Sequence, residues 1–210
     1  MRFKTPLVLL ATLYAALFLS AANANQKAAD DLNALLQRFK TYQANYAQVT
    51  TDGSDHILQK SSGKMMIRRP GGFRWETNEP THQVIITDGK SLWIYDVDLM
   101  QATKQALKKQ VRINPAALLS GSIKDMATQF SIAETNKGNV VAFTLTPKKE
   151  EYGFKSLVLT FDHKVLNKMV TINSLDQHST FLFTQIKLNK TLPLSIFQFK
   201  EAPGIDIIEQ

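Results

Sequence analysis

The side chains best suited to acid–base or metal chemistry are four histidines, His56, His82, His163 and His178. They lie far apart in the sequence with no i,i+4 pair. The chain has no cysteine and no HExxH, so no zinc site can be composed from its motifs. It also lacks a GxSxG elbow, a P-loop and a GxGxxG turn. Asp162-His163 falls at a hairpin and reads as turn chemistry rather than half a triad. Glu150-Glu151 reads as a solvated loop edge. No enzyme is expected. The remaining candidate is a cation, Arg69, within Met65–Glu76 (MMIRRPGGFRWE). This stretch reads as a strand end, a Pro-Gly-Gly turn and the start of the next strand. Residues i and i+2 share a strand face, so Met65, Ile67 and Arg69 point one way and Met66 and Arg68 the other. Phe73, Trp75 and Thr77 share a face after the turn. If the Met65/Ile67 face is the inner one, Arg69 is a cation among apolar groups and needs acceptors for its guanidinium. Next to a turn it can instead reach water, and the pattern leaves both readings open.

The elements that must position these residues follow a leader. Met1–Ala24 reads as a secretory signal peptide: Arg2 and Lys4 form the positive region, Leu7–Leu19 the apolar region, and Ala22-Asn23-Ala24 an A-x-A cleavage site. Cleavage after Ala24 removes 24 of 210 residues and leaves 186, starting at Asn25 and suggesting one domain, 25–210. Losing Arg2 and Lys4 takes the formal charge from +7 to +5. Acids and bases are interspersed, with no Lys/Arg block or basic-aromatic ladder, so no nucleic-acid partner is expected. No second apolar segment is long enough for a membrane span. Without cysteine the protein carries no lipid anchor on an N-terminal cysteine and no disulfide, and must be stable through its core.

Asn25–Lys40 has the period of an amphipathic helix, with Ala28, Leu32, Leu35, Leu36 and Phe39 on the apolar side. The period then changes to two at Tyr42, Ala44 and Tyr46. Strands are predicted at His56–Arg69, bulged near Gly63, then Phe73–Asn78, Gln83–Thr87, Lys90–Tyr95 and Met100–Leu107, with Asp88-Gly89 as a hairpin signal. Asn114-Pro115 is an N-cap followed by Pro at N1, opening a short helix with Leu118 and Leu119. Gly121 stops it, and Ser122 caps another through about Ala127. Strands follow at Phe130–Thr135, Val140–Thr146, Phe154–Asp162, Val165–Asn173, Ser179–Leu188 and Ile196–Lys200. The expected fold is mainly β: a curled antiparallel sheet, an unclosed half-barrel, with helices bearing Leu32, Leu35, Leu36, Leu118 and Leu119 over its concave face. Tyr46, Met65, Ile67, Phe73, Trp75, Leu92, Ile94, Phe143 and Leu145 are the candidate lining of an apolar cavity. Patterning does not separate such a cavity from a filled core.

Arg68-Arg69-Pro70-Gly71-Gly72-Phe73-Arg74-Trp75 resembles the basic-Arg-Pro-x-x-Phe-x-Trp segment of the LolA family of periplasmic outer-membrane lipoprotein carriers. Ile86-Thr87-Asp88-Gly89-Lys90-Ser91-Leu92-Trp93-Ile94-Tyr95 resembles its S-D-G-K-x-L-W-x-Y hairpin. Tyr46-Ala47-Gln48 is similar to the aromatic-x-Gln of its first strand, and Phe143-Thr144-Leu145-Thr146-Pro147-Lys148 to its L-T-P-K strand end. Order and spacing agree across nearly the whole mature chain, less clearly beyond Asn173. The resemblance implies an unclosed β-barrel under a helical lid. It implies a shuttle that takes acylated lipoproteins from an inner-membrane Lol ABC-type transporter and passes them to the outer-membrane receptor LolB. It implies that Arg69, before the proline, latches the lid by bonding its backbone. No cofactor and no metal are implied, and a periplasmic monomer is expected. Rival readings are a half-barrel that senses lipid or lipoprotein without shuttling cargo, a structural partner with a filled core, and an exported hydrolase.

Overall fold

The computed structural model describes residues 24–107, 114–121, 126–149 and 152–209. The leader, except Ala24, and the predicted helix start at Ser122 therefore lie outside the described residues. Among the described residues the protein is one twelve-stranded sheet in the order β12-β6-β5-β4-β3-β2-β1-β11-β10-β9-β8-β7. The strands are β1 (Thr41–Thr51), β2 (Ile57–Arg68), β3 (Gly72–Glu79), β4 (Gln83–Asp88), β5 (Ser91–Asp96), β6 (Gln101–Ala106), β7 (Phe130–Lys137), β8 (Val140–Pro147), β9 (Phe154–Asp162), β10 (Val165–Asn173), β11 (His178–Leu188) and β12 (Asp206–Glu209). Among the described strands only the β12–β6 pair is parallel. The two outer strands, β12 and β7, do not pair with each other, so the sheet is open. Yet its two halves share one apolar cluster: Phe73, Trp75 and Leu92 from one side, Phe143, Leu145 and Leu159 from the other. A sheet can do this only by curling around a common concave face.

Alternation sets that face. In β1, Tyr42, Ala44 and Tyr46 are buried while Gln43 and Asn45 are half-buried. In β2, Met65 and Ile67 are buried and Lys64 is exposed. The predicted bulge at Gly63 is present as a register shift: Ser62 opposes Glu79 and Gly63 opposes Thr77. A Cβ at Gly63 would overlap the Glu76 carbonyl oxygen and lie 2.9 Å from the Tyr46 ring, so only glycine lets the neighbouring strand and ring come this close.

The covering elements come from two places in the chain. Residues 24–37 form a helix that buries Ala28, Ala29, Leu32 and Leu36. It is three residues shorter at its C-terminal end than the pattern suggested; Phe39 follows it and is buried as well. Pro115–Ser120 is a 3₁₀ helix capped by Asn114, whose Oδ1 accepts from Ala116 N–H at 3.0 Å. Met126–Gln129 is a single helical turn.

Two predictions fail at the C-terminal end. Ile196–Lys200 is not a strand: Leu194–Phe197 is a 3₁₀ turn, and the chain then crosses the outer face of the sheet. Phe197 is buried there, and Phe199 stacks on Trp93 at 4.5 Å between ring centroids. Phe197 and Phe199 alternate because both press onto the sheet, which imitates strand periodicity without ladder bonds. β12 was not predicted: adjacent Ile207 and Ile208 give no alternation, and its partner is a parallel strand a hundred residues earlier.

Candidate functional site

The concave face gathers the sequence-selected apolar residues into one cluster. Met65, Ile67, Phe73, Leu92, Phe143 and Leu145 are fully buried; Tyr46 and Trp75 nearly so; Ile94 packs against them half-buried. From the covering elements Leu32, Leu36 and Leu119 are fully buried in the same cluster, with Leu35 and Leu118 at its margin. In this structure the cover's own side chains therefore occupy the space above the sheet.

The wall is aromatic across β3, β2, β1 and β11, where the absent side chain of Gly63 on β2 lets the rings of β1 and β3 meet. Tyr46 stacks on Trp75 at 4.1 Å, and Phe181 meets Trp75 edge-on at 5.4 Å. Tyr46 keeps its hydroxyl satisfied on Thr77 Oγ1 at 2.7 Å, and burial raises its pKa. Tyr42 donates to Leu166 O at 2.8 Å, and burial pushes its phenol well above the ordinary range. The sequence reading missed Phe181 and Phe183 on β11, as well as Leu157, Leu159 and Phe161 on β9. Their i,i+2 spacing inside predicted strands was the available signal.

Arg69 stands at the edge of this wall, though not by strand alternation. Pairing of β2 with β3 stops at Arg68 opposite Gly72, so Arg69, Pro70 and Gly71 form the turn. The Arg69 backbone N–H donates to Lys40 O at 2.8 Å. Its guanidinium lies over the Phe39 ring, 4.9 Å from the centroid, beside the end of the N-terminal helix. Nε and Nη2 are buried with no hydrogen-bond partner among the described residues. Burial lowers the Arg69 pKa to about 10, because the charged form is deprived of water. Arg68, one residue back, is half-buried at the strand end.

The described hydrogen bond that ties the 3₁₀ cover to the sheet belongs to the next residue but one. Gly71 N–H donates to Ser120 O at 2.9 Å. Gly71 has φ +81°, and a Cβ there would come within 3.0 Å of Gly89 Cα. The β2–β3 and β4–β5 turns thus touch backbone to backbone, and the cover is fastened to the first of them. In the second turn Asp88 Oδ1 accepts from Lys90 and Ser91 N–H, as its Asp-Gly signal promised.

An open, curled sheet with an apolar, aromatic inner face beneath a helix and a short 3₁₀ turn defines the class of lidded half-barrels. The family described as "Outer membrane lipoprotein carrier protein LolA" matches residues 37–200. An outer-membrane lipoprotein carrier protein of Coxiella burnetii is 47% identical over 189 residues, covering 90% of each chain. One from Azotobacter vinelandii is 38% identical over 210 residues, covering 100% of both. Among solved structures, MucB superposes with a TM-score of 0.52 at 14% identity, over 87% of this chain and 66% of that one, a likeness of fold. The chain belongs to the LolA family of outer-membrane lipoprotein carrier proteins.

Proposed function

We propose that this protein is a periplasmic carrier that shields the acyl chains of lipoproteins leaving the inner membrane and hands them to an outer-membrane receptor. The observation that carries the reading is the continuous apolar inner face covered by elements that, among the described residues, are tied down by few polar contacts, in a chain whose relatives are named lipoprotein carriers. The cargo site is the wall of Tyr46, Met65, Ile67, Phe73, Trp75, Leu92, Ile94, Phe143 and Leu145. The lid is the N-terminal helix and the Pro115–Ser120 turn; Arg69 is the latch of the helix, through its backbone N–H on Lys40 O and its guanidinium over Phe39, while Gly71 fastens the turn. The donor is an inner-membrane Lol ABC-type transporter and the acceptor LolB. Signal-peptide cleavage after Ala24 leaves Asn25, whose Oδ1 accepts from Ile132 N–H on β7. Among the described residues no helix is long and apolar enough to cross a membrane.

The energetics suit a carrier. Shielding about ten methylenes contributes roughly 8 kcal/mol, near a micromolar Kd. Complete burial of several chains would hold cargo too tightly to release. Lifting the lid exposes Leu32, Leu36 and Leu119, and this cost offsets part of the gain. The test is transfer of a radiolabelled lipoprotein: loading from inner-membrane vesicles, then unloading to receptor-bearing membranes. Loading without unloading would instead mark a lipid- or lipoprotein-sensing half-barrel that does not shuttle cargo. Absence of both, with no uptake of a fluorescent acyl probe, would mean a permanently filled core.

A further inference from the structure

A second concave feature lies outside the apolar face. The end of the N-terminal helix, the start of β1, the end of β2 and the segment after β11 enclose a depression of about 510 Å³. Its lining carries five cations, Arg38, Lys40, Arg68, Arg69 and Lys190, and no acidic residue. None of the five forms an ion pair among the described residues, whereas Lys27, Arg74, Lys104 and Lys155 each have a carboxylate.

The frame of this depression is fixed without a ligand. Asn189, at φ +56°, accepts from Lys40 N–H through Oδ1 at 2.7 Å and donates from Nδ2 to Arg38 O at 3.2 Å. Its own N–H donates to Thr41 O at 2.9 Å, and Thr41 Oγ1 donates to Lys190 O at 2.6 Å. Hydrogen bonds across roughly 150 residues of sequence thus join the segments bearing Arg38, Lys40 and Lys190, and the pairing of Thr41 with Arg68 and the Arg69 N–H on Lys40 O bring the other two cations alongside. Such convergence raises the local potential and costs folding energy unless a counter-charge enters. Arg69 adds its charge from the turn beside the depression, while its Nε and Nη2 are buried against Phe39, away from solvent.

We propose that this depression binds a phosphate group, supplied by an anionic phospholipid headgroup or by free phosphate. A tetrahedral, multiply oxygenated anion can be approached by cations from several directions, as this lining offers; one planar carboxylate is matched by one guanidinium fork. The site does not depend on the carrier reading.

The experiment titrates the purified protein with inorganic phosphate at low salt, following backbone amide resonances by NMR. In parallel it measures sedimentation with phosphatidylglycerol and with phosphatidylcholine vesicles. At least one phosphate probe binds saturably, moves amides of residues 37–41 and 189–192, and weakens with added salt. A response to inorganic phosphate without preference for phosphatidylglycerol assigns the free anion; the reverse assigns the headgroup. Lys40→Gln/Lys190→Gln, two exposed side chains, weakens binding about tenfold or more and leaves the circular dichroism spectrum unchanged. The proposal is overturned if neither probe binds, if the double variant binds unchanged, or if only an acidic polypeptide such as polyglutamate binds.

Discussion

At the scale of residues, Arg69 and Gly63 make opposite demands. The Arg69 charge is buried against Phe39 with two nitrogens unpartnered, which costs stability wherever the group is protonated. Burial holds its folded pKa, about 10, below the ordinary guanidinium value of the unfolded chain, so the unfolded chain binds more protons above about pH 10. The cost is therefore constant at neutral pH and shrinks only as pH rises past about 10. Arg69→Leu is expected to unfold at the same urea concentration as wild type or higher, since it removes an ill-satisfied cation and keeps the apolar contact. It is also expected to load cargo and then stall in transfer to the receptor, whereas Arg68→Leu transfers nearly normally. A fall in stability beyond ~1 kcal/mol would make Arg69 structural, and normal unloading would end the latch idea. Gly63→Ala is the converse case. The added methyl overlaps the Glu76 carbonyl, and the cost is about 3 kcal/mol in urea denaturation. An unchanged midpoint would show that β2 and β3 can slide apart there.

At the scale of elements, the cover depends on the turn that carries Gly71. Gly71→Ala places a Cβ at φ +81° and against Gly89, so the turn must shift and with it the N–H that holds Ser120. Hydrogen exchange in residues 115–121 is expected to rise several-fold in that variant while β8–β10 stay protected; equal protection throughout would locate the lid's anchor elsewhere. Much of this was legible beforehand. The Pro-Gly-Gly and Asp-Gly signals announce two turns, and the Asn-Pro cap announces the short helix. That the two turns touch, and that backbone rather than Arg69 bonds the 3₁₀ segment in the described structure, depends on sheet curl, which leaves no mark on a one-dimensional pattern. Face assignment by alternation ended one residue before Arg69, because the ladder stops at Arg68. The C-terminal segment deceived the reading for a related reason: Phe197 and Phe199 take their period from a surface they lie on, not from a strand they pair with.

At the scale of the whole molecule, the two tryptophans report on the two faces of the sheet. Trp75 stacks on Tyr46 inside, and Trp93 lies outside against Phe199 and Lys104. Binding of an acyl chain to the inner face is expected to change the emission of wild type and of Trp93→Phe, but not of Trp75→Phe. A response that survives only with Trp93 would put the ligand on the wrong side of the sheet. Calorimetry of the same binding should give a large negative heat-capacity change, and one near zero would count against apolar burial as its source.

The segment that crosses the outside of β3 to β5 has a mechanical consequence. Through it, four successive β4 residues, Val84 to Thr87, are buried, so this half of the sheet is clamped on both sides. Among the described residues β11 has no such backing: Leu182 and Thr184, on either side of buried Phe183, face solvent. The sheet thus joins a half covered on both faces to a half covered on one, and the 3₁₀ cover is fastened to the doubly covered half through Gly71. When a guest enters, strain should pass to the unsupported strands, which can flex outward at little energetic penalty while the fastening point keeps its place. Swelling of the barrel would then be one-sided, with β8 to β11 acting as the spring.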